Sequence, residues 1–276
     1  MNLVGTFINT NFTFNGESST PYSIQLIKVN ESGMIGVPVA GGKNINEQYV
    51  AYRDKPWFYN ANMQPMDMKM SFAFTSATPW TTQQKQDTFD WLYSPRTYCD
   101  FKSDDFYNSG TLTYSKIYKL MFTSPLQFIT ADLNYGYFEL DAKAYPFAYT
   151  EVVTQAITVS SSPTTITINN PTNVRNYDNS YYYYPKIYVD LTGAATSFKI
   201  INTSDANRVF ELTGLDTSEQ LYIDNELKII NTNSAGENRI ADLTNKQWFR
   251  LVQGDNVLQF YGTSAISVVC QYPIMT

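Results

Sequence analysis
The 276-residue sequence predicts a mainly β protein of two β-rich domains, 1–150 and 151–276, the first carrying one helix near 81–93. Two patterns and one interruption predict it. In the first half, apolar and polar residues alternate at the period of a strand with one buried face. In the second half, short runs rich in Ile, Val, Tyr and Phe recur about every 8–12 residues with turn residues between them. Only one stretch replaces the period of two with helical spacing.

Taken in chain order, Phe12 and Phe14 lead into Asn15-Gly16, a pair suited to a tight turn because both residues tolerate positive φ. Met66, Met68, Met70, Phe72 and Phe74 alternate with Asp67, Lys69, Ser71 and Ala73, predicting a long strand. The stretch 81–93, TTQQKQDTFDWLY, predicts the helix. Thr81 and Gln84 fit a capping box, Phe89, Leu92 and Tyr93 share i, i+3, i+4 spacing, and Pro95 follows where a helix should stop. Phe138, Leu140, Ala142 and Ala144 form a second alternating strand. The stretch 149–163, ending in a Ser/Pro cluster, reads as the domain boundary. Beyond it, TTITINN, PKIYVDLTG, SFKIINTS, RVFELTG, QLYID, LKIINTN, WFRLVQG, NVLQFYG and AISVVCQ read as strands of an antiparallel sandwich or jelly roll.

Composition removes whole classes of function. Histidine is absent, which excludes a Ser-His-Asp or Cys-His centre and any imidazole-bound zinc within this sequence. Cys99 and Cys270 are too few for a disulfide framework or a metal cluster and read as buried or half-buried thiols. A net charge of −6 gives no electrostatic reason to bind nucleic acid or anionic lipid. No basic leader and no run of the roughly 18 apolar residues of a membrane span is visible, so the expectation is a soluble chain folded in a reducing compartment. Charged residues are 16% of the chain against roughly 25% in an average soluble protein, while aromatics also reach 16%.

Candidate chemistry is sparse. The carboxylates Asp100, Asp104 and Asp105 could in principle serve a glycosidase, and Asp178-Asn179 a calcium loop, but both are ordinary loop compositions. The sequence therefore names no catalytic, cofactor-binding or metal-binding residue, and an enzyme is not expected. Tyr181 to Tyr184 admit two readings, a sugar-stacking platform or a strand whose alternate tyrosines cover the core. Trp57, Phe58 and Tyr59 form a second aromatic cluster, suited to core or interface. Trp248 and Phe249 sit on opposite faces of an expected strand, so one should be buried. Interface cores are depleted of charge and enriched in aromatics and methionine. Met63, Met66, Met68 and Met70 beside WFYNANM are thus the expected place for subunit contacts, with the core of the first domain as the alternative.

With these segments in order, the chain resembles the distal tail protein (Dit) family of long non-contractile-tailed bacteriophages. FTFNG followed by PYSIQLIKV resembles the family's opening hairpin. DTFDWLYSPRTYCDFKSDD resembles its helix, proline stop and strand running to an acidic turn. PLQFITADLNYGYFELDAKAYPFAYT resembles the exit from the first domain. In the second domain the resemblance lies in NVRNYDNSYYYYPKIYVDLTG, RVFELTGLDTSEQLYIDNELKII and WFRLVQGDNVLQFYG. Asn179-Ser180 stand there where the family has a glycine.

The resemblance implies a structural virion protein at the phage tail tip, assembled in the host cytoplasm. Its N-terminal domain, sandwich-like, would form a homo-hexameric ring, and its C-terminal domain would be a galectin-like sandwich facing outward. Partners implied are the tail tube protein, the tail-tip hub protein and, as an open question, a receptor-binding protein. The ring's channel would pass DNA without specific nucleic-acid binding, which the acidic balance suits. No cofactor and no membrane insertion are implied. The alternative is a glycan-binding module resting on Tyr181 to Tyr184.

Overall fold
A computed structural model describes residues 11–29, 40–75, 79–103, 116–125, 127–132, 135–160, 163–176 and 180–275. The chain separates into two compact units, Met1–Tyr149 with Met275–Thr276, and Thr150–Ile274. The protein is mainly β, with one α-helix among the described residues.

The first unit contains β1 (Phe12–Phe14), β2 (Glu17–Ser18), β3 (Ile24–Val29), β4 (Lys43–Gln48), β5 (Trp57–Met63), β6 (Met66–Thr75), α1 (Thr82–Leu92), β7 (Cys99–Ser103), β8 (Tyr118–Phe122), β9 (Ile129–Asp132), β10 (Tyr135–Ala144) and β11 (Ala148–Tyr149). Its main sheet runs β2-β1-β7-β8-β10-β6-β3, with β9 also paired to β10. β1 and β2 meet through Asn15 (φ 53°) and Gly16 (φ 80°), so the expected Asn-Gly turn forms with both residues left-handed.

The alternation in β6 becomes its burial pattern: Met66, Met68, Met70, Phe72 and Phe74 are all buried. Across from them in register stand Ala144, Ala142, Leu140, Phe138 and Gly136. Large side chains thus face small ones at both ends of the strand pair, so the layer fills without overpacking. Gly136 shows the constraint most sharply, because a Cβ there would lie 2.4 Å from Cζ of Phe74. Phe74 in turn stacks on Trp80 at 4.1 Å between ring centroids.

The helix α1 begins at the expected capping box: the Thr81 hydroxyl accepts the Gln84 N–H at 3.1 Å, and Gln84 Oε1 accepts the Thr81 N–H at 2.9 Å. Its buried face differs from the expected one. Thr88, Trp91 and Leu92 face inward, while Phe89 is exposed and packs on Tyr93 instead. Trp91 decides the rotation, since its ring stacks between Phe12 and Tyr22 and its Nε1 donates to the Phe14 carbonyl at 3.0 Å. A tryptophan buries more apolar area than a phenylalanine and carries a donor that must be satisfied inside.

The second unit contains β12 (Val153–Val159), β13 (Thr164–Asn170), β14 (Lys186–Leu191), β15 (Ser197–Asn202), β16 (Arg208–Thr213), β17 (Gln220–Asp224), β18 (Ile229–Thr232), β19 (Gly254–Tyr261), β20 (Ser264–Cys270) and β21 (Pro273–Ile274). Two antiparallel sheets, β12-β20-β14-β17-β18 and β13-β19-β15-β16, enclose one aliphatic and phenylalanine core, the expected sandwich. The two units part at Tyr149/Thr150, within the stretch 149–163 read as boundary, and β12 follows in the same stretch. One expectation needs correction. WFRLVQG is not a strand: it has only an isolated bridge, Tyr183 to Leu251. Phe249 is nevertheless fully buried and Trp248 partly so.

Asparagines hold that irregular segment in place. Asn225 donates to the Pro185 carbonyl at 2.7 Å and accepts the Phe249 N–H at 3.0 Å. Asn256 accepts from Val252 N–H and Asn202 Nδ2, and Asn202 Nδ2 also reaches the Arg250 carbonyl. Backbone groups without a ladder partner are thereby satisfied by side chains, which buried polar groups require.

Candidate functional site
The surface least explained by folding is the hairpin of β4 and β5. Among the described residues these strands pair only with each other. Every residue of β4 is exposed, and Trp57, Phe58 and Tyr59 of β5 are 54%, 64% and 60% exposed. Tyr49, Val50 and Tyr52 extend the apolar area toward the tip, and Ile45 extends it toward the root. An isolated two-stranded ribbon is marginal in water, and exposed aromatic patches of this kind mark interaction surfaces.

The ribbon has two different faces. In register, Asn44 opposes Asn62 and Asn46 opposes Asn60. A register shift at Asn46/Glu47 then sets Glu47 against Phe58 and Gln48 against Trp57, leaving Tyr59 as the extra residue. One face therefore carries the asparagine pairs and runs on into Gln48 and Trp57. It is tied by a hydrogen bond between the Asn46 and Asn60 amides and by Tyr59 Oη donating to Gln48 Oε1 at 2.8 Å. The other presents Ile45, Ala61 and Phe58. Arg53 lies 4.9 Å over the Trp57 ring.

The root of the ribbon is tightly made. Gly41 N–H donates to the Pro146 carbonyl at 2.9 Å, and Gln64 N–H donates to the Gly42 carbonyl at 2.7 Å. A Cβ on Gly41 would sit 1.8 Å from the Gln64 carbonyl oxygen, so only glycine permits this close crossing. The exposed ribbon is thus fixed at its base while its faces remain uncovered.

Other residues singled out in the sequence fall into different places. Met66, Met68 and Met70 are core and Met63 is half-buried, whereas the aromatics Trp57, Phe58 and Tyr59 N-terminal to them are exposed. Of Tyr181 to Tyr184, Tyr183 packs against the core, though from an isolated bridge rather than a strand. All four are half-buried, and only Tyr183 makes a bridge. Arg250 lies 3.4 Å over the Tyr182 ring and Arg175 lies 4.5 Å over Tyr181, so one face of each of these two rings carries a guanidinium group. Tyr183 Oη accepts the Gln271 N–H at 2.8 Å, and burial pushes its phenol above its ordinary range.

Asp100 is ion-paired with Lys119 at 2.7 Å. Asp104, Asp105, Asp178 and Asn179 lie outside the described residues. Cys99 and Cys270 are both free and buried, and burial pushes the Cys270 thiol up to about 11. No group of three potential metal ligands occurs among the described residues. No helix among them is long and apolar enough to cross a membrane.

Residues 7–144 match the family described as phage tail protein N-terminal domain, and residues 147–270 match the phage tail C-terminal domain. The chain belongs to this phage tail protein family. Its fold resembles that of the Dit protein (gp 19.1) of phage SPP1, described as a paradigm of hub adsorption apparatus in phages infecting Gram-positive hosts. That structure is 12% identical, with a TM-score of 0.61, 95% of this chain and 99% of that chain covered. A chain of the phage P2 baseplate, in its activated conformation with calcium, is 5% identical with a TM-score of 0.56, covering 95% and 98% respectively. The same baseplate with strontium gives a TM-score of 0.54. No curated protein sequence matches. At these identities the likeness is one of fold, and the family match is what assigns this phage tail protein to the tail.

Proposed function
We propose that this tail protein is a Dit-type hub: a homo-hexameric ring joining the tail tube to the tail-tip or baseplate proteins and leaving a channel for DNA. The β4–β5 ribbon carries this reading. A ribbon with aromatic residues on both faces and a rigid root suits a head-to-tail contact, in which it lies on a different surface of the next copy. Such heterologous contacts close into rings when the rotation permits. The family match and the fold shared with the SPP1 hub and P2 baseplate chains support the placement in the tail. The first unit, which holds the ribbon, is the ring-forming domain in this reading, and the second faces outward toward tip or receptor-binding partners. A net charge of −6 suits a conduit that does not retain DNA.

Light scattering with negative-stain imaging tests the ring. Six copies of a 31.5 kDa chain give about 189 kDa, with ring-shaped particles. Trp57→Ser with Phe58→Ser should return a monomer of unchanged stability. A ring that survives this double substitution removes the ribbon from the reading. Failure of the chain to form rings either alone or with its tube and tip proteins overturns it.

A further inference from the structure
The solvent face of the five-stranded sheet in the second unit is not flat. It holds an open groove of about 430 Å3, within the range of roughly 300–1,000 Å3 typical of ligand clefts. Register explains its shape. One rung across the sheet reads Ala156, Ser267, Tyr188, Tyr222, and the next reads Thr158, Ala265, Asp190, Gln220. The outer pair of strands, β12 and β20, therefore contributes a floor of small side chains. Tyr188 rises beside it from β14, 49% exposed and propped against Tyr222 at 5.0 Å between centroids.

The polar groups at this groove are uncommitted. Asp190, Gln220 and Thr158 are exposed, and their side chains make no hydrogen bond with other described residues. They supply two carboxylate acceptors, an amide with both donor and acceptor, and a hydroxyl. One wall is an apolar aromatic ring and the adjoining rung is a row of hydroxyl-binding groups, all on a rigid sheet. Lys186, the nearest cation along β14, is already drawn to Asp224 at 3.6 Å. An anionic ligand therefore finds the unpaired Asp190 carboxylate and no free cation at the groove. The floor itself offers an extended peptide no backbone edge, because β14 and β20 are paired on both sides; the open edge of the sheet is β12, at the rim.

We infer that this groove binds a neutral saccharide, with one pyranose stacked on Tyr188 and its hydroxyls bonded to Asp190, Gln220 and Thr158. A sugar ring is the ligand class that combines apolar C–H faces with dense, uncharged hydrogen-bonding groups, matching a ring wall beside a polar rung. The site is distinct from Tyr181 to Tyr184 and does not depend on ring assembly, so it stands or falls separately from the hub reading. An open groove with one stacking residue gives weak affinity per site. Several copies in one assembly would multiply it through effective concentration.

Saturation-transfer difference NMR on the full chain tests this with D-glucose, D-galactose and N-acetyl-D-glucosamine, each up to about 50 mM, a range that reaches binding weaker than 1 mM. At least one sugar should show transfer to its ring protons. Tyr188→Ala should abolish it, and Asp190→Asn should weaken it by roughly tenfold while thermal stability stays unchanged. Tyr182→Phe, remote from the groove, should leave it intact. No transfer from any of the three sugars overturns the inference, as does transfer that persists in Tyr188→Ala or vanishes in Tyr182→Phe.

Discussion
The two units solve the same problem, a β core in a charge-poor chain, with different materials. The first is packed with aromatic rings and methionine: Phe12, Phe72, Phe101, Phe122 and Phe138 form a continuous set of ring contacts closed by Trp91. The second has a more aliphatic core framed by buried polar groups. Arg239, 4% exposed, forms a fork with Glu219, 2% exposed, through Nε at 2.8 Å and Nη2 at 2.9 Å. Glu219 also accepts from the Asp216 N–H and the Thr232 hydroxyl, while Arg239 Nη1 reaches the Gly214 carbonyl and Asp242. Aromatic packing tolerates local rearrangement, whereas a buried ionic fork is sensitive to the loss of either partner. The unit with the more adaptable core is also the one that leaves a ribbon uncovered.

This contrast predicts where damage should stay. Phe72→Ala should cost about 3–5 kcal/mol in the first unit, and Arg239→Ala a similar amount, about 3–5 kcal/mol, in the second. Hydrogen exchange read by mass spectrometry should show each loss of protection confined to its own unit; exchange rising equally in both would erase the contrast. Asn256→Ala comes next. It strands the Val252 N–H and removes one of the two acceptors of the Asn202 amide, so a loss of about 1–3 kcal/mol is expected in chemical denaturation.

Acid sharpens the comparison further. Burial alone would raise the Glu219 carboxyl, but hydrogen bonds from Arg239, Thr232 and Asp216 outweigh it, and the group titrates below its ordinary value. Its contribution is therefore complete above the ordinary carboxylate pKa and disappears as pH falls through the lowered folded value. Exchange protection in the second unit should therefore begin to fall only once the pH drops below the ordinary glutamate value of about 4.3. Glu219→Gln should flatten that slope. The smallest effect is expected at the ribbon: Phe58→Ser should change stability by no more than about 0.5 kcal/mol, because the ring is already in water. A larger destabilisation would mean that Phe58 is packed in the monomer.

What could be read in advance follows from how local the cause is. The Asn15-Gly16 turn, the Thr81 capping box and the alternation in β6 are set within a few residues, and all three form as expected. The rotation of α1 is not legible in the sequence, because Phe89 and Trp91 are equally apolar by pattern. Only the tertiary partners Phe12, Tyr22 and the Phe14 carbonyl choose between them. The methionines and WFYNANM looked alike as candidate contacts, but chain pairing buries the first and exposes the second. The surroundings of Tyr181 to Tyr184 are only partly local: Arg175 stands six residues away, but Arg250, over the Tyr182 ring, comes from the far end of the unit. The groove at Tyr188 left no local signal at all, since it arises from small residues on β12 and β20 brought beside β14 by register.

That same sheet order carries a consequence for timing. β19 lies between β13 and β15, and β20 lies between β12 and β14, so residues 254–270 supply the strand that joins β13 and β12 to the rest of their sheets. On a ribosome, β12 to β18 emerge with that joining strand missing from each sheet, and neither layer can close. The first unit has its own strands complete long before. Non-local pairing of this kind slows folding, and it makes the second core a late, all-at-once event. A nascent chain stalled before residue 254 should carry a protease-resistant first half and a second half still open to cleavage.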